Sequence, residues 1–329
     1  MVTEGAPTPA VPAEGLLARR KERVWYIDLW FQLFKTKPLA AFGLVLMMFF
    51  ILVGLFATWV APEGVNEPHT ERLVEQEDFG GVFEAFRIPG PSWRHPLGLD
   101  AVGRDYLSRI IHGTRTSALV GLSVVGLSVA LGTLLGVYSA WYGGAFDMIV
   151  QRIVDGWLTF PQLPVLITIV AVFPADVGFI PIAAWAMFKI VLAIGILWTP
   201  WYARVLRSSA LVIKESQYVD AANAMGATSQ RVVLTHIVPN VMAAVITLAT
   251  LSLGSAILAE TSLSFLGYGV PQPNPTLGGM LTMGGVSHLY SAPWLAIFPG
   301  VAISLMVLGI NLLGDGLRDL LDPRLRGQQ

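Results

Sequence analysis

The chain has 329 residues, of which 54% are hydrophobic and 13% are charged, and its formal net charge is −1. Soluble globular domains carry about 25% charged residues, so this composition predicts a protein that crosses a membrane several times. The near-neutral charge gives no indication of nucleic-acid binding. The absence of cysteine excludes disulfides and thiolate metal sites.

The N-terminal residues divide into a tail and an amphipathic segment. Residues 1–20 begin with a Pro-rich run that has no apolar period, which predicts a disordered tail. Around residues 21–38, arginine and lysine stand beside tryptophan, tyrosine and phenylalanine at helical spacing. This pattern favours an interfacial helix in the lipid headgroups, and a solvated helix packed on the protein is the alternative.

Six segments are apolar over the roughly 20 residues that a membrane-spanning helix needs. They are residues 39–61, 117–140, 153–173, 182–203, 241–263 and 294–316. The first is too long for the apolar part of a signal peptide, and no small residues mark a cleavage site at its end. The sequence therefore predicts an all-α protein with six transmembrane helices and a core domain over residues 117–316.

Lysine and arginine predict the orientation of these spans. With the N-terminus inside, the outer loops 174–181 and 264–293 contain neither residue. The long loop 62–116 holds six arginines and nine acidic residues, but loops of this length cross largely regardless of charge. We predict cytoplasmic N- and C-termini (N-in, C-in), with 204–240 and the tail 317–329 also in the cytoplasm.

The predicted extracytoplasmic loop 62–116 has two parts. Residues 62–90 are acidic and irregular, and they fit either a solvated loop or a contact with a partner. The second part reads HPLGLDAVGRDYLSRIIHG, in which Asp100 or a neighbour is expected to cap a helix that runs to about His112.

Two patterns inside the spans predict how the helices are shaped and packed. Pro161 and Pro164 should bend or unwind the third span, because each removes a backbone donor. The carbonyls freed in this way need partners, which predicts that the break lies against other helices or a pore. In the second span, Ser128, Gly132, Gly136 and Ala140 share one face, which predicts close packing within the chain rather than a dimer seam.

Several enzymatic chemistries are excluded or disfavoured. The sequence has no G-x-x-x-x-G-K-[ST] loop for ATP and no H-E-x-x-H pair for zinc. Serines occur in the repeated GLSV of the second span, but no histidine in a span could act as their base. We therefore expect no catalytic residues, no metal site and no cofactor in this chain.

Among the charged residues inside the predicted spans, three are the candidates for a role within the membrane, namely Asp155, Lys189 and Glu260. Charges at this depth are costly and are functional candidates by default. Glu260 is the deepest, and it either faces a pore or holds helices together. Asp155 and Lys189 lie nearer the ends of their spans, which favours structural roles.

A polar, alanine-rich stretch, YVDAANAMGATSQRVVLTHIVPN, separates the fourth and fifth spans. Tyr218, Ala222 and Met225 follow helical spacing, with Ala221 beside them. Such a low apolar face suits a helix that lies in a groove of another protein. A passive amphipathic loop on the membrane surface is the alternative.

The same stretch contains signals for a break between two helices. Gly226 permits the positive φ that ends a helix, and Thr228 or Ser229 can cap the next one. Pro239 suits the first turn of the fifth span, where its missing N–H costs little. The sequence therefore predicts two short helices joined rigidly to that span.

The spacing D-A-A-x-x-x-G-x(9)-H-I-V-P, from Asp220 to Pro239, resembles the coupling loop of ABC-importer permeases, in which the first residue is usually glutamate. The stretches HPLGLDAVGRDYLSRIIHGTRTSALVG, YGGAFDMIVQRIVD, AETSLSFLGYGVPQPNP and NLLGDGLRDLLDPRL resemble the C-type permease of dipeptide, oligopeptide and nickel importers. The resemblance covers about residues 25–325.

This resemblance implies a multi-pass permease of the bacterial inner membrane that forms half of a pore. It implies a second, related permease (a heterodimer), two ATPase subunits that bind ATP and Mg²⁺, and an extracytoplasmic solute-binding protein that largely sets selectivity for peptides. The coupling loop 218–239 would contact an ATPase, with Tyr218, Asp220, Ala221, Ala222, Met225, Gly226 and Pro239 as its key residues. The alternative is an ion-gradient-driven transporter or channel that uses Glu260.

Overall fold

The computed structural model describes residues 37–68 and 88–321. Its helices are α1 (Pro38–Leu55), α2 (Ala57–Val60), α3 (Tyr106–Tyr142), α4 (Gly144–Leu158), α5 (Gln162–Val172), α6 (Ile182–Lys214), α7 (Gln217–Ala224), α8 (Ser229–Val232), α9 (Val238–Phe265), α10 (Leu277–Met280) and α11 (Trp294–Leu321). Two π-helical turns, Val233–Ile237 and Leu281–Val286, follow α8 and α10. No strand occurs within these two ranges, and the predicted all-α class is confirmed.

Four predicted segments lie wholly or partly outside the described residues. The tail 1–20 and nearly all of the interfacial helix 21–38 belong to this group, as does most of the acidic loop 62–90. The predicted tail 317–329 is described only as far as residue 321, and those first residues continue α11.

Five of the described helices are long and apolar enough to cross a membrane: α1, α3, α6, α11, and the continuous helix Ser229–Phe265 that joins α8 to α9. The pair α4 and α5 counts as a sixth span, bent by 93° at a short break. With that pair taken as one span, the six predicted spans are present.

The long helices run in alternating directions, so the bundle has two ends. The loop end holds residues 61–68, 88–105, 173–181 and 266–293. The turn end holds the short connections around Gly143 and residues 215–228, together with the two limits of the described chain. At those limits Lys37 forms an ion pair with Asp319 at 2.6 Å.

The predicted small-residue face of α3 packs inside the chain against α6. A Cβ atom added at Gly132 would lie 2.4 Å from Tyr202 Cβ, and one at Gly136 would lie 2.5 Å from the Ala203 carbonyl oxygen. The Ser128 hydroxyl donates to the Gly195 carbonyl at 3.0 Å. Close backbone approach of this kind is possible only with small residues.

The start of α3 corrects the predicted boundary at residue 117. The helix begins at Tyr106, and Asp105 rather than Asp100 is its N-cap, with its carboxylate accepting from the Ser108 amide. It then continues through His112 to Tyr142 without interruption. The hydropathy pattern missed the first turns because they are polar and are covered by loops instead of lipid.

The helix α6 continues past residue 204, where the predicted cytoplasmic segment 204–240 begins. The helix runs on to Lys214, past Pro200, and α7 begins after two further residues. The polar residues that follow the apolar span therefore continue the same helix. The connection itself is limited to the residues after Lys214.

The predicted break in the third span occurs between Leu158 and Gln162. Pro161 stands just before α5, and Pro164 lies in its first turn, where its missing N–H removes no helical bond. The Thr159 hydroxyl donates to the Gly156 carbonyl at 2.6 Å. Residues 159–164 are exposed in the single chain, so the other described helices do not bury the break, and its contact with a pore stays a prediction.

Candidate functional site

The helix α7 ends at the glycine that the sequence indicated. Gly226 has φ +81°, and its amide donates to the Asn223 carbonyl at 2.9 Å. The Ala227 amide donates to the Ala222 carbonyl at 3.1 Å. These two bonds form a Schellman motif, whose positive φ favours glycine. Thr228 is the N-cap residue of α8, although its side chain makes no capping bond.

One face of α7 is buried in a small apolar cluster of its own. Val219 and Ala222 pack with Val232 of α8, and Trp141 at the end of α3 packs against them. This corrects the expectation that Ala222 belongs to the docking face, since only 3% of the residue is exposed. Val219 and Ala222 are three residues apart, and that spacing places both on the inner side.

The opposite face of α7 is open. Met225 is 82% exposed and Tyr218 is 45% exposed, and Asp220 and Ala221 are exposed between them. The Tyr218 ring lies 6.2 Å from that of His236, in the π-helical turn before α9. The exposed face therefore combines two large apolar side chains with a small alanine and a carboxylate.

The junction with α9 agrees with the predicted rigid exit. Pro239 lies in the first turn of α9, and the helical path from Ser229 to Phe265 is continuous through the π-turn. The Asn240 side chain donates to the His236 carbonyl at 2.6 Å. The helix α8 and the spanning helix α9 are thus joined without a flexible connection.

Lys214 ties the same region to the end of α3. Its Nζ donates to the carbonyls of Ala140 and Trp141 at 2.9 and 2.8 Å, and it lies 5.7 Å from the centre of the Trp141 ring. The last carbonyls of a helix lack partners within the helix, so a cation here stabilises them. We did not predict this role, although a lysine in the last turn of a helix is a recognised signal.

Ion pairs join α4 to α6 next to this region. Arg207 Nε donates to Asp147 at 2.6 Å, and the Ser139 hydroxyl donates to the same carboxylate at 2.6 Å. Asp155, one of the predicted intramembrane charges, pairs with Arg204 on the exposed surface of the same two helices.

Lys189 lies near the loop end of α6 and is buried. Its Nζ donates to the Pro174 carbonyl at 3.3 Å, in the loop between α5 and α6. Trp185, one turn earlier in α6, donates to the same carbonyl oxygen from its indole nitrogen at 2.8 Å. Lys189 thus holds a loop against a helix.

Glu260 is completely buried between α9 and α3. One of its carboxylate oxygens accepts from the Ser264 hydroxyl at 2.7 Å. The Ser117 hydroxyl of α3 lies close to the same carboxyl, outside strict hydrogen-bond geometry. Within the single chain, Glu260 therefore faces a neighbouring helix rather than an open passage.

A buried arginine organises the loop end. Arg109 donates to the Pro273 carbonyl at 3.2 Å and to the Gln272 side chain at 3.1 Å. It also donates to the Val65 carbonyl at 3.3 Å and lies 3.4 Å from the Asp100 carboxylate. We did not single out Arg109, because the residues it joins lie far apart in sequence. A cavity of about 260 Å³ adjoins this network.

Taken together, these features define a polytopic helical membrane protein with an exposed short helix at its turn end. Residues 132–327 match the family described as "Binding-protein-dependent transport system inner membrane component". Residues 26–76 match "N-terminal TM domain of oligopeptide transport permease C".

Individual relatives agree with these matches. The chain is 36% identical over 296 residues to the dipeptide transport system permease protein DppC of Alkalihalophilus pseudofirmus, covering 90% of this chain and 89% of that protein. It is 36% identical over 284 residues to a putative peptide transport system permease protein of Brucella suis, covering 86% and 87%. It is 32% identical over 318 residues to the glutathione transport system permease protein GsiD of Escherichia coli, covering 97% of each.

The chain belongs to the family of binding-protein-dependent inner membrane components, as a permease subunit of the peptide type of ABC importer. It is accordingly a multi-pass protein of the bacterial inner membrane. As a transport subunit it is not an enzyme, because in this family the ATPase is a separate subunit.

Proposed function

We propose that this chain forms half of the translocation pore of an ATP-driven importer of peptides. A second, related permease completes the pore as a heterodimer, and an extracytoplasmic solute-binding protein delivers the substrate. Two ATPase subunits bind ATP and Mg²⁺, so that this chain needs no cofactor. One of them docks on the exposed face of α7, formed by Tyr218, Asp220, Ala221 and Met225.

The observation that carries this proposal is that one face of α7 is buried and the other is exposed. Its inner face is anchored through Val219 and Ala222 to Trp141 and Val232, while its outer face presents Met225 to solvent. A helix held in this way moves together with the ends of α3 and α9. ATPase closure at the outer face therefore shifts two spanning helices at once.

The proposed orientation places the turn end in the cytoplasm. Arg204, Arg207, Lys214 and Arg231 all lie at or near this end, whereas the loops 174–181 and 264–293 contain no lysine or arginine. The loop end then faces the solute-binding protein.

Peptides of two to several residues are the proposed substrates. The similar proteins named above are a dipeptide and a glutathione permease, and glutathione is itself a small peptide. Selectivity between such compounds is assigned to the binding protein, so binding measurements on that protein test this part of the proposal.

The alternative function, ion-driven transport through Glu260, requires this carboxylate to exchange with a passage. Its complete burial and its bond with Ser264 support a role in holding helices together instead. Uptake by this chain alone, in vesicles that contain a proton gradient but no ATP, would establish the alternative.

Gly226→Asp tests the docking proposal, with Gly178→Asp as a matched control. Both glycines have positive φ, +81° and +76°, and nothing lies within 4 Å of an added Cβ at either. The backbone strain is therefore similar, but only Gly226 is at the docking face. We expect Gly226→Asp to abolish ATP-dependent uptake and weaken ATPase co-purification without loss of membrane insertion, while Gly178→Asp retains both. Normal transport by Gly226→Asp would show the docking account to be wrong.

A further inference from the structure

A histidine and two carboxylates meet at the loop end, outside the proposed docking surface. Glu63 follows α2, His95 lies in the loop before α3, and Asp105 caps α3. One ligand atom from each lies within 4.8 Å of the other two. Within residues 37–68 and 88–321, no other set of His and acidic side chains converges so closely.

The distances match those between ligands of one metal ion. His95 Nδ1 lies 3.1 Å from an Asp105 oxygen and 3.8 Å from a Glu63 oxygen. Zinc binds imidazole nitrogen and carboxylate oxygen at about 2.0–2.2 Å, which separates neighbouring ligand atoms by about 3.0–3.5 Å. The spacing of Asp105 from Nδ1 is already in this range, and the Glu63 oxygen lies about 0.3 Å beyond it.

Both carboxylates approach the same imidazole nitrogen. Nδ1 carries at most one hydrogen, and Asp105 stands at hydrogen-bond distance from it, whereas Glu63 stands beyond that distance on the same nitrogen. A cation placed between the three atoms interacts with all of them. This arrangement favours an ion that accepts one nitrogen and two oxygen ligands.

The ligands are held in position by the surrounding structure. The Asp105 side chain accepts from the Ser108 amide at 2.7 Å, and the Glu63 amide donates to the Ser108 hydroxyl at 3.2 Å. The His95 amide donates to the Ser92 hydroxyl at 3.1 Å. The bond to the Asp105 carboxylate orients a ligand, and the two backbone bonds fix the segments that carry Glu63 and His95.

Burial further distinguishes this cluster from exposed acidic groups. The side chains of His95 and Asp105 are 3% and 1% exposed, and that of Glu63 is 23% exposed. Two ligands are thus inside the protein, and the Glu63 side gives access to solvent for an entering ion and for water ligands.

We propose that Glu63, His95 and Asp105 bind one divalent transition-metal ion at the loop end. The mixture of imidazole and carboxylate suits Zn²⁺ or Mn²⁺ better than Ca²⁺, which takes oxygen ligands. The bound ion joins the segment after α2, the loop before α3 and the first turn of α3, and it stabilises the surface that faces the solute-binding protein.

The test is metal binding by the full chain, purified with its importer subunits through a tag without histidine. After chelation and dialysis, ZnCl₂ or MnCl₂ alone is titrated calorimetrically into wild type, His95→Ala and Glu63→Gln. We expect wild type to bind one more ion per importer than either variant, or to bind it at least about tenfold more tightly. His288→Ala, a loop-end histidine outside the cluster, should match wild type.

Two results would overturn the proposal. If wild type binds neither ion at micromolar concentration, these three side chains form no metal site. If His95→Ala and Glu63→Gln both bind as wild type does, the ion lies elsewhere. Should His95→Ala fail to fold, Glu63→Gln decides alone, because Glu63 is partly exposed and caps no helix.

Discussion

The two ends of the bundle are built from different interactions. At the loop end, Arg109 reaches three separate segments through a buried network of hydrogen bonds. At the turn end, α7 rests on a small apolar cluster that is separate from the main core. A buried, fully bonded charge resists rearrangement because each lost partner is costly. A small apolar contact permits a helix to move as a unit with what it touches.

This difference indicates that the rigid part of the protein and its proposed moving part lie at opposite ends. The long helices α3 and α6 connect them, with small residues at their closest approach. The polar network at one end limits movement there, and in the proposed mechanism displacement that begins at α7 is carried along the helices. Four substitutions test this contrast, ordered by the loss of stability that we expect.

Replacing the buried arginine should have the largest effect. Arg109→Ala leaves three acceptor groups without this partner, and each buried acceptor left unsatisfied costs about 1–3 kcal/mol, while Asp100 keeps its ion pair with Arg104. We expect a marked fall in the thermal unfolding temperature of the purified protein. The exposed Arg94→Ala should change it little. Equal stability of Arg109→Ala and wild type would show that the loop end is not held by this network.

A glycine in the seam between α3 and α6 should have the next largest effect. Gly132→Ala forces a methyl group against Tyr202 and the α6 backbone, and overpacking costs about 1–3 kcal/mol. Gly126→Ala is the control on the same helix, because nothing lies within 4 Å of its added Cβ. Thermal unfolding should separate the two variants, and equal behaviour would contradict the packing account.

Lys214→Met should cost less stability but should impair transmission. It removes two bonds to the end of α3, which we expect to cost about 1–2 kcal/mol, since Lys214 is only partly buried. ATP-dependent uptake should fall while the ATPase subunits still co-purify. The neighbouring Glu215→Gln, exposed and outside these bonds, serves as control. Unchanged uptake in Lys214→Met would mean that this attachment carries no movement.

Met225→Glu should leave the unfolding temperature almost unchanged, because the side chain is 82% exposed. Its charge should nevertheless weaken ATPase co-purification if α7 is the docking helix. Tyr290→Glu places the same charge on a fully exposed side chain at the loop end, and there the ATPase should still co-purify. Loss of the ATPase from both variants would argue against a specific surface on α7.

Much of the fold could be predicted because it depends on local patterns. Apolar length identified the spans, Pro161 marked the break between α4 and α5, and Gly226 marked the end of α7. The helices α3 and α6 extend beyond the predicted boundaries at residues 117 and 204 for one reason. Hydropathy reports the part of a helix that suits lipid, and both helices continue as polar turns beyond it.

From the sequence alone we could predict the all-α class, the small-residue face of α3 and the position of the helix pair before α9. Each of these follows from neighbours along one helix or turn. The tertiary structure was needed to show that Ala222 is buried, that Glu260 faces α3, and that Arg109 joins three segments. Those contacts join residues that are far apart in the chain. Neither the local hydrophobic periodicity nor the composition predicts which of these residues come together.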